Sequence, residues 1–224
     1  MLEAVRLGAV GRSGTLWDGI DLGVEAGEVL VVTGPPSCGK TLLLSVLSGR
    51  RRPDAGEVLV DGHSLYRGPR AVGDDFRRRA RLAGDAPWPG RSVGDLFALS
   101  AMAGHPLPAP ERRARREELL ALVGMPSSEA WDLFTLSVSE RARAVLAAEL
   151  FHAPKYLFLD ALFERAGAPW AESLAGLVRA LAREGAAVVA AERQPPPRLL
   201  PPGTAGRQVG PFLVHRVRAD GGAG

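Results

Sequence analysis

The sequence predicts an α/β protein whose parallel-sheet core follows N-terminal antiparallel strands. Three observations carry this expectation. Apolar runs at 28–33, 156–160 and 186–191 have the near-continuous character of strands covered on both faces. Helical patterns alternate with these runs, as a parallel sheet requires. Between the first run and its helix, Gly34-Pro35-Pro36-Ser37-Cys38-Gly39-Lys40-Thr41 fits G-x-x-x-x-G-K-[ST]. That phosphate-loop pattern needs a strand before it and a helix after it, and both are present.

Taken in order, residues 1–32 alternate apolar and polar, with Gly11, Gly14, Gly19 and Gly27 as turn points. They read as short antiparallel strands leading to the loop. The apolar residues at 42–47 read as the loop's helix, 52–56 as a turn, and 57–62 as a short strand. Proline marks a change of character between Gly84 and Pro110. Helices are expected over 111–123 and 139–151, then the strand at 156–160, which delivers Asp160. An amphipathic helix over 169–183 precedes the strand at 186–191. A proline-rich surface connection, 194–206, leads to an edge strand at 212–214. The Gly-rich tail at 221–224 is expected to be disordered.

The loop would aim backbone N–H groups and the positive end of a helix dipole at a phosphate. Gly34, Pro35, Pro36, Ser37, Cys38, Gly39, Lys40, Thr41 and Leu42 are the expected nucleotide-binding residues. Lys40 would reach the β- and γ-phosphates, and the Thr41 hydroxyl would take a Mg²⁺ position. Lys40 and Lys155 are the only lysines among 28 basic residues. An arginine-biased chain thus keeps lysine where a slim point charge must enter the loop. Cys38 reads either as a reactive thiol at a helix N-terminus or, as favoured here, as a small residue the loop tolerates.

At 224 residues the chain suits a single domain. One cysteine argues against a disulfide framework and suits a reducing cytosol. The first residues lack a signal-peptide layout, and no run of about 18 apolar residues exists to span a bilayer. The pI of about 9.6 at a net charge of +3 reflects arginine in place of lysine. Arginines cluster at 77–81 and 112–116. Glu111, Glu117 and Glu118 flank the second cluster, so a solvated helix face is favoured over a nucleic-acid or anionic-lipid patch.

With these residues placed, about 1–193 resembles the nucleotide-binding subunit of ATP-binding-cassette (ABC) transporters. Leu47-Ser48-Gly49 and the run from Arg52 to Gly62 follow the family's LAGL.RPDSGEVLVDG closely. Ser92-Val93-Gly94-Asp95-Leu96 is similar to TVRENL, and Glu118 to Gly124 to ELLELVGL. Tyr156–Asp160 falls at the family's Walker B strand. The resemblance implies a P-loop NTPase fold of ABC type over 1–224, with an inserted α-helical subdomain at about 86–140. It implies ATP and Mg²⁺ as cofactors, with Thr41 and Asp160 at the metal. It also implies a transmembrane permease partner, and a homodimer or a heterodimer with a second ABC ATPase subunit. The chain would lie peripherally on the inner face of the cell membrane, with no nucleic-acid partner.

The family's catalytic landmarks are not matched, and no catalytic residue is assigned. Ala161 follows Asp160 where the family carries a glutamate that activates water, and a methyl group accepts no proton. Glu192 stands where a histidine contacts the γ-phosphate, and it would repel phosphate. His215 lies too far along the chain to serve. Gln194 and Gln208 are the only glutamines, so the glutamine ahead of the helical subdomain is missing. Val10 falls near the place of the adenine-stacking aromatic, Ser37 replaces a glycine, and Leu42 replaces a second Ser or Thr. The signature Leu-Ser-Gly-Gly-Gln becomes Leu136-Ser137-Val138-Ser139-Glu140, which fits a capping box closing the helix on itself. These departures imply a degenerate subunit, a pseudo-ATPase that binds nucleotide with weak or no hydrolysis. The alternative is a non-hydrolysing scaffold or regulator. A P-loop kinase or GTPase is disfavoured, because neither explains 47–62 or the signature segment.

Overall fold

Side chains alternate across a pleated strand, so a strand covered on both faces must feed two cores. The computed structural model describes residues 1–11, 14–84, 90–102, 107–196, 198–200 and 203–218. The expectation for 221–224 lies outside the described residues. The first elements are β1 (Leu2–Gly11), β2 (Gly14–Val24), β3 (Glu28–Thr33), α1 (Lys40–Leu47), β4 (Ala55–Val60) and β5 (His63–Ser64). There follow α2 (Arg70–Arg79), β6 (Ala80–Ala83), α3 (Val93–Met102), α4 (Ala109–Leu122) and α5 (Val138–Glu149). The last are β7 (Tyr156–Asp160), α6 (Leu162–Ala166), α7 (Ala168–Arg183), β8 (Ala187–Glu192), β9 (Gly206–Val209) and β10 (Phe212–Arg218).

Two sheets form. The smaller, in order β2-β1-β4-β5, is antiparallel throughout. The larger runs β6-β7-β8-β3-β10-β9, with β6, β7, β8 and β3 parallel and the last two pairings antiparallel. Val29 and Val31 of β3 face one core, while Leu30 and Val32 face the other. The first core is closed by helices, including Leu174 and Val178 of α7 and Leu146 of α5. The second lies between the sheets and encloses Leu43, Leu44, Val46 and Leu47 of α1. Burying such a leucine contributes about 1.5–3 kcal/mol, which anchors α1 and hence the loop at its start.

Gly56, the second residue of β4, shows why the start of that strand needs glycine. It sits at φ 78°, and a Cβ there would fall 2.2 Å from the Arg6 carbonyl oxygen. The expected turn at 52–56 yields to strand at Ala55, which pairs with Gly8 of β1.

Other local expectations are corrected. The segment at 212–214 is the start of a longer strand that is interior, not an edge, because β10 lies between β3 and β9. On its longer stretch Arg216 Nη1 reaches the buried Glu28 carboxylate at 2.7 Å. The arginine cluster at 77–81 is no continuous patch. Arg77 and Arg79 end α2, paired with Asp74 at 3.2 Å and Asp75 at 3.0 Å, whereas Arg81 on β6 is 6% exposed. In the second cluster, Arg113, Arg115 and Arg116 pair with Glu117, Glu118 and Glu129 at 2.9, 2.8 and 2.6 Å. The proline-rich stretch packs inward at Pro196, Leu199 and Leu200. No described helix is long and apolar enough to cross a membrane.

Candidate functional site

The parallel strands β3, β7 and β8 end side by side, which gathers the predicted residues at one edge of the larger sheet. Gly34 follows β3, and Gly39, at φ 95° and ψ 20°, forms the N-cap of α1. A Cβ on Gly39 would come within 2.6 Å of Trp17 Nε1, so the loop runs close under a buried indole. Ser37 takes φ 62°, a left-handed conformation that suits glycine better. Lys40 Nζ donates to the carbonyls of Gly34 at 2.7 Å and Pro35 at 2.9 Å. Cys38 Sγ lies 3.7 Å from the same ammonium. Pro35, Pro36, Ser37 and Thr41 are exposed, while Leu42 is half-buried.

Asp160 ends β7 beside α1, and the Thr41 hydroxyl donates to its Oδ1 at 3.2 Å. Gly84, just past β6, adds no side chain here; a Cβ on it would lie 3.2 Å from Asp160 Cβ. Ala161 follows at φ 51° and caps the short α6, its amide donating to the Ala191 carbonyl at 2.8 Å. Glu164 turns to Arg193 at 3.2 Å.

Glu192 departs from the expectation that it opposes phosphate. It is 2% exposed, and its carboxylate accepts from the amides of Phe163 at 3.0 Å and Glu164 at 3.2 Å. It is therefore an intramolecular cap on α6. Burial pushes its carboxyl up to about 7; the two amides oppose the shift, and Glu164 and Asp160 add to it. His215 lies on β10 opposite Val31, buried, with neither ring nitrogen hydrogen-bonded.

The signature-position segment forms the expected capping box. The Ser137 side chain accepts from the Glu140 amide at 3.2 Å, and Glu140 Oε2 accepts from the Ser137 amide at 2.9 Å. Hydrogen bonds from the Ser137 hydroxyl and amide hold the Glu140 carboxyl below the usual carboxylate range. Ser139 Oγ donates to the Ala166 carbonyl at 2.7 Å, tying α5 to α6. Val138 stays 67% exposed at the helix start.

A cavity of about 860 Å³ opens beside the loop. Val10, Gly11 and Leu16 line one wall, and Lys40, Thr41, Leu42 and Ser45 another. Its volume suits a small-molecule ligand. Arg50 and Arg51, just past α1, also line it. Sequence reasoning missed both. The available signal was Arg50 itself, which stands where the run resembling 47–62 carries leucine.

This loop between a parallel strand and a helix, facing a terminal strand aspartate, defines a P-loop nucleotide-binding cassette. The family model described as ABC transporter matches residues 17–163, and the chain belongs to the ABC transporter family. It is similar to the taurine import ATP-binding protein TauB of Pseudomonas aeruginosa, 36% identical over 144 residues, 64% of this chain and 52% of that protein. It is 39% identical to the daunorubicin resistance ATP-binding protein DrrA3 of Streptomyces coeruleorubidus, over 64% of this chain and 44% of that protein. The match to the cytochrome c biogenesis ATP-binding export protein CcmA of Salmonella typhi is 37% identical, over 66% of this chain and 67% of that protein. The chain thus spans about half the length of TauB and DrrA3. The fold is that of ABC ATPase cassettes. The dimeric structure of the bacterial ABC transporter cassette MJ0796 superposes with a TM-score of 0.77 at 19% identity, covering 87% of this chain and 88% of that one.

Proposed function

We propose that this chain is the ATP-binding subunit of an ABC transporter-type membrane complex, and that its site holds nucleotide with weak or no hydrolysis. The observation that carries the proposal is the pair Ala161 and Glu192. A residue with no acid–base group follows Asp160, and the buried carboxylate of Glu192 is engaged by two backbone amides. Gly34 through Leu42 would hold the phosphates. Thr41 and Asp160, whose oxygens lie 3.2 Å apart, are hard donors of the kind Mg²⁺ takes. Bound there, the ion would supply charge neutralisation at the β- and γ-phosphates.

A transmembrane permease and a second cassette, identical or not, are the partners this reading requires, placing the chain peripherally on the inner membrane face. The pairing of both arginine clusters with carboxylates supports the reading without a nucleic-acid partner. The second reading, a non-hydrolysing scaffold or regulator, is favoured by the capping box, since α5 meets its own Glu140 where an outside anion would bind. Co-purification with a transmembrane protein separates the two. For the site itself, purified protein should bind ATP in a calorimetric titration and release phosphate negligibly. Turnover of about 1 s⁻¹, ordinary for an enzyme, would overturn the pseudo-ATPase reading.

A further inference from the structure

We propose that Arg51 holds the base of a purine nucleoside triphosphate in this cavity, its planar guanidinium stacking where none of the described residues supplies an aromatic ring. The inference rests on the nucleotide-binding reading and adds the group that recognises the far end of the ligand. Among the described residues, no aromatic side chain lines the cavity. The phosphate loop occupies one end, and the eight residues of α1 carry the wall about 12 Å away from it. Past that helix the chain presents three consecutive arginines, and only one is left for a ligand. Arg50 turns back, donating to the Leu82 carbonyl at 3.4 Å and lying 3.7 Å from the buried Glu149. Arg52 lies over the Tyr66 ring at 6.0 Å and does not line the cavity.

Arg51 is placed differently. Asp54 Oδ2 accepts from the Val10 amide at 2.9 Å and lies 3.7 Å from Arg51 Nη2. A single carboxylate oxygen therefore sets the guanidinium beside the wall that carries Val10. Both partners of that ion pair are about half exposed, so the pair holds Arg51 only weakly and leaves its plane available. A guanidinium combines a flat face with a permanent charge, and it stacks on aromatic rings in a way an ammonium does not reproduce. Val10, 54% exposed, offers only an aliphatic surface on that same wall.

The test is calorimetric titration of the full chain with ATP and, separately, with inorganic tripolyphosphate. The wild type should bind ATP more tightly than tripolyphosphate. Arg51→Ala should weaken ATP roughly three- to tenfold, the range of a partly desolvated cation–π contact, and leave tripolyphosphate unchanged. Arg51→Lys, which keeps the charge and loses the plane, should behave like Arg51→Ala, and Arg52→Ala like the wild type. Adding Val10→Tyr to Arg51→Ala should restore ATP affinity. Equal weakening of both ligands would make Arg51 a phosphate contact and overturn the inference, as would ATP binding unchanged in Arg51→Ala. A wild type that binds neither ligand would remove the site reading and this inference together. Thermal melts of each variant show that the loss is local.

Discussion

Ala161 stands at φ 51°, a left-handed conformation that costs a residue with a Cβ about 1 kcal/mol. The backbone beside Asp160 is thus shaped, but the side chain it presents brings no proton acceptor. Glu192 has a carboxylate in the neighbourhood, yet two amides at the start of α6 hold it. Restoring both functions in Ala161→Glu/Glu192→His should raise phosphate release at least about tenfold above wild type, a fraction of what a general base supplies. A rate unmoved in a phosphate-release assay would turn attention to the segment from Val138 to Glu140. Ala161 was legible from its place after Asp160. Glu192 as a cap was not, because its hydrogen-bonding partners lie 28 and 29 residues earlier in the chain.

At the scale of elements, α5 shows how a local pattern can be sufficient. Ser137 and Glu140 are three residues apart and meet through one turn of helix, so the capping box was readable in the chain. Ser137→Ala should cost about 1 kcal/mol, lowering the melting temperature by roughly 2–4 °C for a chain of this size. A melt indistinguishable from wild type would mean that the Ser139 tie to Ala166 already secures the helix start. Strands were less legible where charge disguised burial. Arg81 lies almost wholly inside, 3.8 Å from Glu149, and so β6 resembled part of a basic surface cluster. β10 is interior, and its Arg216 and Arg218 both reach the buried Glu28, a pairing that depends on a residue almost the whole chain away.

Across the whole molecule, two buried carboxylates set a pH dependence. Burial pushes Glu149 up to about 7 against the opposing pull of Arg50 and Arg81, and Glu192 is raised to about 7 as well. Both shifts have the same sign: the folded state holds these protons more tightly than the unfolded chain does. Their contribution is complete below pH about 4.5 and is lost as pH rises through 7. Each shift corresponds to roughly 3 kcal/mol. The melting temperature should therefore fall between pH 5 and 7.5, and Glu149→Gln should flatten that slope whatever it does to absolute stability. Equal slopes in wild type and variant would show that Glu149 ionises normally in the fold. The carboxyls held low, Asp95, Asp132 and Glu140, act at more acid pH and leave this window alone.

What the sequence determined by itself was whatever depends on neighbours along the chain: the phosphate loop between strand and helix, the apolar strands feeding two cores, the capping box, and Ala161 after Asp160. Short-range geometry makes those patterns readable. Only the tertiary structure decided where Glu192 directs its carboxylate, that β10 is interior, that Arg81 is buried, and that Arg51 stands in the cavity beside Val10. Each of these depends on a partner distant in the chain or on a whole sheet being assembled, and sheet order brings those partners together.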